Sequence, residues 1–249
     1  MNFERILAAT VTASSFPPGD EEKRQAKNLR GQAYVMCGEG RFAEAIEVFL
    51  QSLRIEAMES SAVGGVAWCL AGMGQGDDAL VLLDKAAKYD PRNADFALAR
   101  GRCLKEIGRL DEAAAAFDTA QGLDPQNGAI FYEMGLCQAG IGRDDLALPN
   151  FENALKRDDK HAPSWDQKGG CLFRMGRLDE ALAGLDKALA LAPGMSSAWY
   201  NKAQVLEGLG RGPEAGECYA KFVALAPAHM AEKQFMARQR ALELGANPA

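Results

Sequence analysis

Six cysteines and two histidines carry the side chains of this chain best suited to nucleophilic or metal chemistry. Four of the cysteines, Cys69, Cys103, Cys137 and Cys171, stand 34 residues apart, in the similar settings VAWCLAGMGQ, GRCLKEIGRL, GLCQAGIGRD and GGCLFRMGRL. Cys103 lies among basic residues, surroundings that lower a thiol's pKa and make it a nucleophile or a ligand. Both histidines, His161 and His229, fall on the same interval. No further histidine and no glycine-rich loop closing on Gly-Lys-Ser or Gly-Lys-Thr accompanies them, so the usual supports for a metal site, a triad or a nucleotide site are missing. The segment GMGQGDD at 72–78 has the glycines of a phosphate loop, but it falls between two helical stretches and reads as a turn. Asp111-Glu112 and Asp179-Glu180 open helical stretches, where carboxylates favour the helix dipole, and do not read as paired catalytic acids. The reading is a chain that is not an enzyme, with no metal ligands and no cofactor.

An interval of 34 residues is a statement about architecture. Rows of 34 starting at Ala26 give six units, 26–59, 60–93, 94–127, 128–161, 162–195 and 196–229, without insertion or deletion. One column holds Ala45, Ala79, Ala113, Ala147, Ala181 and Ala215, and four residues later stand Phe49, Leu83, Phe117, Phe151, Leu185 and Tyr219. Near each row's end Pro91, Pro125, Pro193 and Pro227 break a helix, with Ala57 and Asp159 in the other two rows. Midway, Gly40, Gly74, Gly108, Gly142, Gly176 and Gly210 are placed to close a first helix in the left-handed conformation. Apolar residues recur at helical spacing in each half-row, as in Ala45, Ile46, Phe49 and Leu53, so each row predicts two antiparallel helices. A single hairpin cannot bury both faces, and neighbours must stack.

These columns resemble the tetratricopeptide repeat family, with its W-x2-L-G-x2-Y, A-x3-F and P signature. Trp165 and Trp199 match the tryptophan, and Gly101, Gly135 and Gly169 match the glycine. Lys168 and Lys202 replace the leucine, Gln138 the tyrosine and Asp159 the proline. The resemblance covers residues 26–229 and implies an all-α fold, a right-handed α-α superhelix or solenoid of tandem hairpins. Residues 230–249 are expected to supply a capping helix with a polar outer face, since Lys233 and Arg240 stand where earlier rows are mostly apolar. Residues 1–25 are expected to hold a short helix and a linker, with Asp20 to Glu22 capping a lengthened first helix.

The stacking also bears on the thiols. Equivalent residues of successive first helices are separated by at least about 8–10 Å, beyond the reach of a disulfide or of convergent zinc ligation. The four-cysteine ladder is therefore expected to fill small apolar slots, as Val35 and Val205 would in the first and last rows. Cys37 and Cys218 lie off the ladder and receive no role.

With 34 acidic against 28 basic side chains and a net charge of −6, the chain is poorly suited to non-specific nucleic-acid binding. No apolar run reaches the roughly 18 residues needed for membrane insertion. The start MNFERILAATV lacks the marks of a secretory signal, which predicts a cytoplasmic protein. In the resembled family the first helices line a concave groove that takes a partner's extended or helical segment. Carried onto this sequence, that groove is expected to use Arg30, Tyr34, Gly64, Gly65, Trp68, Arg102, Tyr132, Phe173, Tyr200 and Asn201. The corresponding positions lack the lysine, arginine and asparagine with which some family members clamp a terminal carboxylate; Arg30 alone could serve. Gly64 and Gly65 each cost a helix roughly 1 kcal/mol relative to alanine, so something is expected to approach the backbone there, either a partner or Trp68 folding back. The function expected is a non-catalytic adaptor or assembly scaffold for a protein partner. The alternative is a structural homo-oligomer in which residues 2–11 of one chain enter the groove of another.

Overall fold

The computed structural model of the 249-residue chain describes residues 6, 8, 17–227 and 230–246. Two compact units divide it, Met1–Gln126 and Asn127–Ala249. The described residues of the first unit form α1 (Asp20–Gly38), α2 (Phe42–Ile55), α3 (Ser60–Gly72), α4 (Gly76–Tyr89), α5 (Ala94–Glu106) and α6 (Leu110–Leu123). Those of the second form α7 (Gly128–Gly140), α8 (Asp144–Arg157), α9 (Ala162–Arg174), α10 (Leu178–Leu191), α11 (Ser196–Gly208), α12 (Gly212–Leu225) and α13 (Ala231–Glu243). Every described element is helical, so the fold is all-α, built of helical hairpins. Apart from buried Ile6 and exposed Ala8, both helical, residues 1–16 lie outside the described residues, as does His229.

Each hairpin turns in the same way. The midway glycines, Gly40 to Gly210, have φ between 73° and 81°. The next residue's N–H reaches back to a carbonyl five residues earlier, as in Arg41 to Met36 at 2.9 Å and Arg177 to Leu172 at 2.9 Å. This closure satisfies carbonyls that a helix end otherwise leaves bare. Four of these turns add a forked pair from the arginine to a glutamate three residues on: Arg41–Glu44, Arg109–Glu112, Arg177–Glu180 and Arg211–Glu214. α1 starts one residue earlier than an Asp20 cap would set: Gly19 caps it, and its N–H donates to the Glu22 carboxylate at 2.8 Å.

The alanine column is wholly buried, and Phe49, Leu83, Phe117, Phe151 and Leu185 show no exposed surface. A Cβ placed on Gly101, Gly135 or Gly169 would come within 2.4 to 2.6 Å of Phe117, Phe151 or Leu185, so glycine there makes room for the bulky column. The two lysines that depart from the repeat pattern also have partners. Lys168 pairs with Glu152 at 2.9 Å and Lys202 with Asp186 at 2.5 Å, each reaching the second helix of the preceding hairpin. Arg100 and Asp84 repeat this arrangement in the first unit at 3.0 Å. Asp159 serves as proline does elsewhere: Trp165 donates to its carbonyl at 2.8 Å, as Trp199 does to that of Pro193. Gln138 is the departure with a cost, its buried Oε1 having no hydrogen-bond partner.

α13 buries Ala237 and Ala241 against the last hairpin. It closes at Gly245, φ 84°, as a first helix does. Its exposed residues include Phe235 and Met236 beside Glu232, Arg238 and Gln239, while Lys233 holds its Nζ over the Tyr200 ring and Arg240 pairs with Glu207 and Glu243. Val35 departs from its column. Val205 is buried but Val35 is 64% exposed, because no hairpin among the described residues stands before α1 to cover it.

Candidate functional site

Within the first unit α1, α3 and α5 lie side by side, tied by side chains of their first turns and exposed faces. Ser60 Oγ donates to Asp95 at 2.8 Å, and Tyr34 Oη donates to the Ser61 carbonyl at 2.7 Å. Tyr34, Trp68 and Arg102 occupy the same row position on the three helices. The Tyr34 ring meets Phe49 edge-on at 5.1 Å yet stays 41% exposed. Burial raises its phenol pKa against the pull of the Ser61 hydrogen bond and the Arg102 charge. Trp68 is 39% exposed, with its ring edge-on to Phe42 at 6.5 Å. Arg102 is exposed on α5. The three helices thus present two half-open aromatic rings and a guanidinium in one row.

The other first-unit residues expected in the groove take internal partners. Arg30 holds Glu56 at 2.6 Å and Glu59 at 3.4 Å, and donates to Ser52 Oγ at 3.2 Å. Its guanidinium is already matched to two carboxylates, which removes the last candidate for a carboxylate clamp. A Cβ on Gly65 would lie 2.3 Å from the Phe49 ring, and one on Gly64 would lie 3.3 Å from Ala99 Cβ. Within the chain, what approaches these glycines is the Phe49 ring at Gly65 and Ala99 of α5 at Gly64.

In the second unit the aromatic residues fold inward. Tyr132 packs on Phe151 at 6.0 Å and edge-on to His161 at 4.9 Å. Tyr200 lies 5.1 Å from Phe222 and 5.7 Å from Tyr219, with Lys233 Nζ 3.8 Å above its ring. Phe173 joins the core around Leu172 and Leu185. Asn201 Nδ2 donates to Asp166 at 2.8 Å and Ser197 Oγ donates to its other oxygen at 2.8 Å, tying α11 to α9. Asp166 is buried, and burial raises its pKa despite these two hydrogen bonds. Phe42, Ser61 and Lys233 shape these sites without a motif to flag them; Phe42 in particular opens a second helix, outside the positions that line a groove.

All six cysteines are free and buried. Burial pushes the ladder thiols of Cys103 and Cys171 up to about 11 and about 12, and that of Cys218, off the ladder, up to about 11, which makes all three poor nucleophiles. No cluster of potential metal ligands occurs among the described residues, and no described helix is long and apolar enough to cross a membrane. A family model, Tetratricopeptide repeat, matches residues 67–128, 132–196 and 167–229.

The chain belongs to the tetratricopeptide repeat family.

Solved members of similar fold agree with that assignment. YrrB, described as a tetratricopeptide repeat protein with an unusual peptide-binding site, is 25% identical over 78% of this chain and 96% of its own, with a TM-score of 0.55. MamA of Desulfovibrio magneticus RS-1 is 19% identical over 67% of this chain and 94% of its own, with a TM-score of 0.59. A chain of the APC/C heterotetramer Cut9–Hcn1 superposes on 98% of this tetratricopeptide repeat chain, using 46% of its own length, at 18% identity and a TM-score of 0.72. A search of curated protein sequences finds no match.

Proposed function

We propose that this tetratricopeptide repeat chain is a non-catalytic adaptor that holds a segment of a protein partner against the first helices of its first three hairpins. The observation that carries the reading is the row of Tyr34 and Trp68, 41% and 39% exposed, with Arg102 in the same position on the next helix. Aromatic rings with an adjacent arginine are the usual anchors of a peptide groove, because they bury large area at little entropic cost and give one charged contact for register. The partner segment this row suits carries apolar side chains and a carboxylate within reach of Arg102. The peptide-binding site of YrrB supports the same class of ligand.

The test begins with a random-peptide display library panned on the full chain. Selected peptides are then titrated by fluorescence anisotropy against the wild type and Trp68→Ala. Enrichment of aliphatic residues flanking an acid, with binding weakened in the variant, is expected. Peptides that bind the variant undiminished would overturn the assignment of this face. A mass that rises with concentration in light scattering and falls back in Trp68→Ala would make a second copy of the chain the occupant.

A further inference from the structure

The sulfurs of Cys37 and Cys69 lie 3.0 Å apart, in contact within the interior. Cys37 stands near the end of α1, one turn beyond Tyr34, and Cys69 follows Trp68 on α3. The 34-residue interval conceals this pair, because Cys37 is off the ladder and the two thiols are 32 residues apart. The other four cysteines are free and buried too.

We propose that Cys37 and Cys69 form a site of oxidative modification, at which a hydroperoxide closes a disulfide joining the first helices of the first two hairpins. The sulfurs need to approach by only about 1 Å to reach the bond length near 2.0 Å. Cys37 is 4% exposed and Cys69 fully buried, so the oxidant reaches Cys37 first. Hydrogen peroxide transfers one oxygen to the Cys37 sulfur, giving a sulfenic acid and one water. Cys69 sulfur then attacks the Cys37 sulfur, its proton leaves with the hydroxyl as a second water, and the S–S bond forms. Two thiols and one peroxide thus give one disulfide and two waters. Burial raises both thiol pKa values, which lowers the thiolate fraction and slows their reaction with peroxide. The bond would close a loop through the whole of α2 and restrain the unfolded chain, while fixing α1 against α3 beneath Tyr34 and Trp68. This site stands whether or not those rings bind a peptide.

The experiment treats the full chain with hydrogen peroxide, removes the excess with catalase and measures intact mass and thiol count in denaturant. The expected result is a loss of about 2 Da with two thiols consumed and none added between chains. Non-reducing digestion should yield one linked peptide pair containing Cys37 and Cys69, and the unfolding midpoint should rise and return on reduction. Cys37→Ser and Cys69→Ser should each abolish the mass loss, whereas Cys103→Ser should retain it. The wild-type peptide map needs no variant to fold. Six titratable thiols after treatment, oxygen addition without a linked peptide, or a linkage through any other cysteine would overturn the proposal.

Discussion

Tyr34 and Trp68 in the first unit keep 41% and 39% of their surface in solvent, whereas Tyr132 and Tyr200 in the second lie against the rings of Phe151 and Phe222. All four are aromatic residues of first helices, yet they stand in two different columns. Tyr34 and Trp68 occupy the ninth position of their rows, and Tyr132 and Tyr200 the fifth. The columns are one helical turn apart on the same stripe. The earlier one meets the bulk of the hairpin's own second helix, and Arg30, in the first unit's copy of it, is likewise turned inward to Ser52, Glu56 and Glu59. Position within the repeat, more than residue type, sets how much of a ring stays in solvent: Tyr34 keeps 41% of its surface exposed although it too meets the second helix of its hairpin at Phe49.

Three substitutions test that rule. The largest effect is expected for Gly65→Leu, because its added atoms must enter the space of the buried Phe49 ring. Overpacking of this kind should lower stability by about 3 kcal/mol, read as a shifted urea midpoint. A midpoint near that of the wild type would show that α3 can move away from α2 at little cost. Next come Trp68→Ala and Tyr200→Ala as a contrasting pair. Trp68→Ala should weaken binding of a selected peptide by about 2 kcal/mol with a small change in stability. Tyr200→Ala should lower stability by about 2 kcal/mol, through its lost contacts with Phe222, Tyr219 and Lys233, and leave the same peptide's affinity nearly intact. If the two variants behave alike, the distinction between the columns fails.

The hairpins were legible because the repeat enforces itself six times: alanine, bulky residue and left-handed glycine each recur at an interval no chance pattern sustains. The presented row was legible in part, since helical geometry marks which column faces away from a partner helix. What a side chain meets on its own stripe was not legible. Gly65 reads in sequence as room for a partner or for Trp68 folding back, and only the packing puts the Phe49 ring there. Lys233 reads as a solvated charge, but its Nζ sits 3.8 Å over the Tyr200 ring, a contact that no repeat column marks. The Cys37–Cys69 contact escaped the interval argument for a related reason. The spacing compares equivalent positions, whereas neighbouring helices touch through non-equivalent ones.

A smaller effect separates Gly65, sixth in its row, from Gly170, which holds the ninth position of the row 162–195. A Cβ there would meet only the end of the flexible Arg174 side chain, at 3.5 Å. Gly170→Ala should therefore stabilise by up to about 1 kcal/mol, through reduced freedom of the unfolded chain. Destabilisation in the same urea titration would mean that the second unit needs an open backbone at this position.

The smallest effect concerns the polar tie between α9 and α11. Burial raises the pKa of Asp166 above its ordinary value, and the hydrogen bonds from Ser197 and Asn201 only partly offset it. A carboxyl whose pKa is higher in the folded state than in the unfolded state binds its proton more tightly when folded. Its contribution to stability is therefore complete below the unfolded value and declines as pH rises through the folded one. Asp166→Asn removes this titration while retaining an oxygen for Asn201 and supplying an N–H to Ser197, whose hydroxyl can accept. The exchange also removes a charge that attracts Lys233, which limits the gain. At neutral pH the variant should match or exceed the wild type by no more than about 1 kcal/mol. That advantage should shrink as the pH is lowered through the raised pKa of the wild-type carboxyl, where it takes up its proton. Urea midpoints of both proteins across that range provide the check. A difference that stays constant with pH would show that Asp166 titrates as an ordinary exposed aspartate, and a loss of several kcal/mol would show that its charge holds the two first helices together.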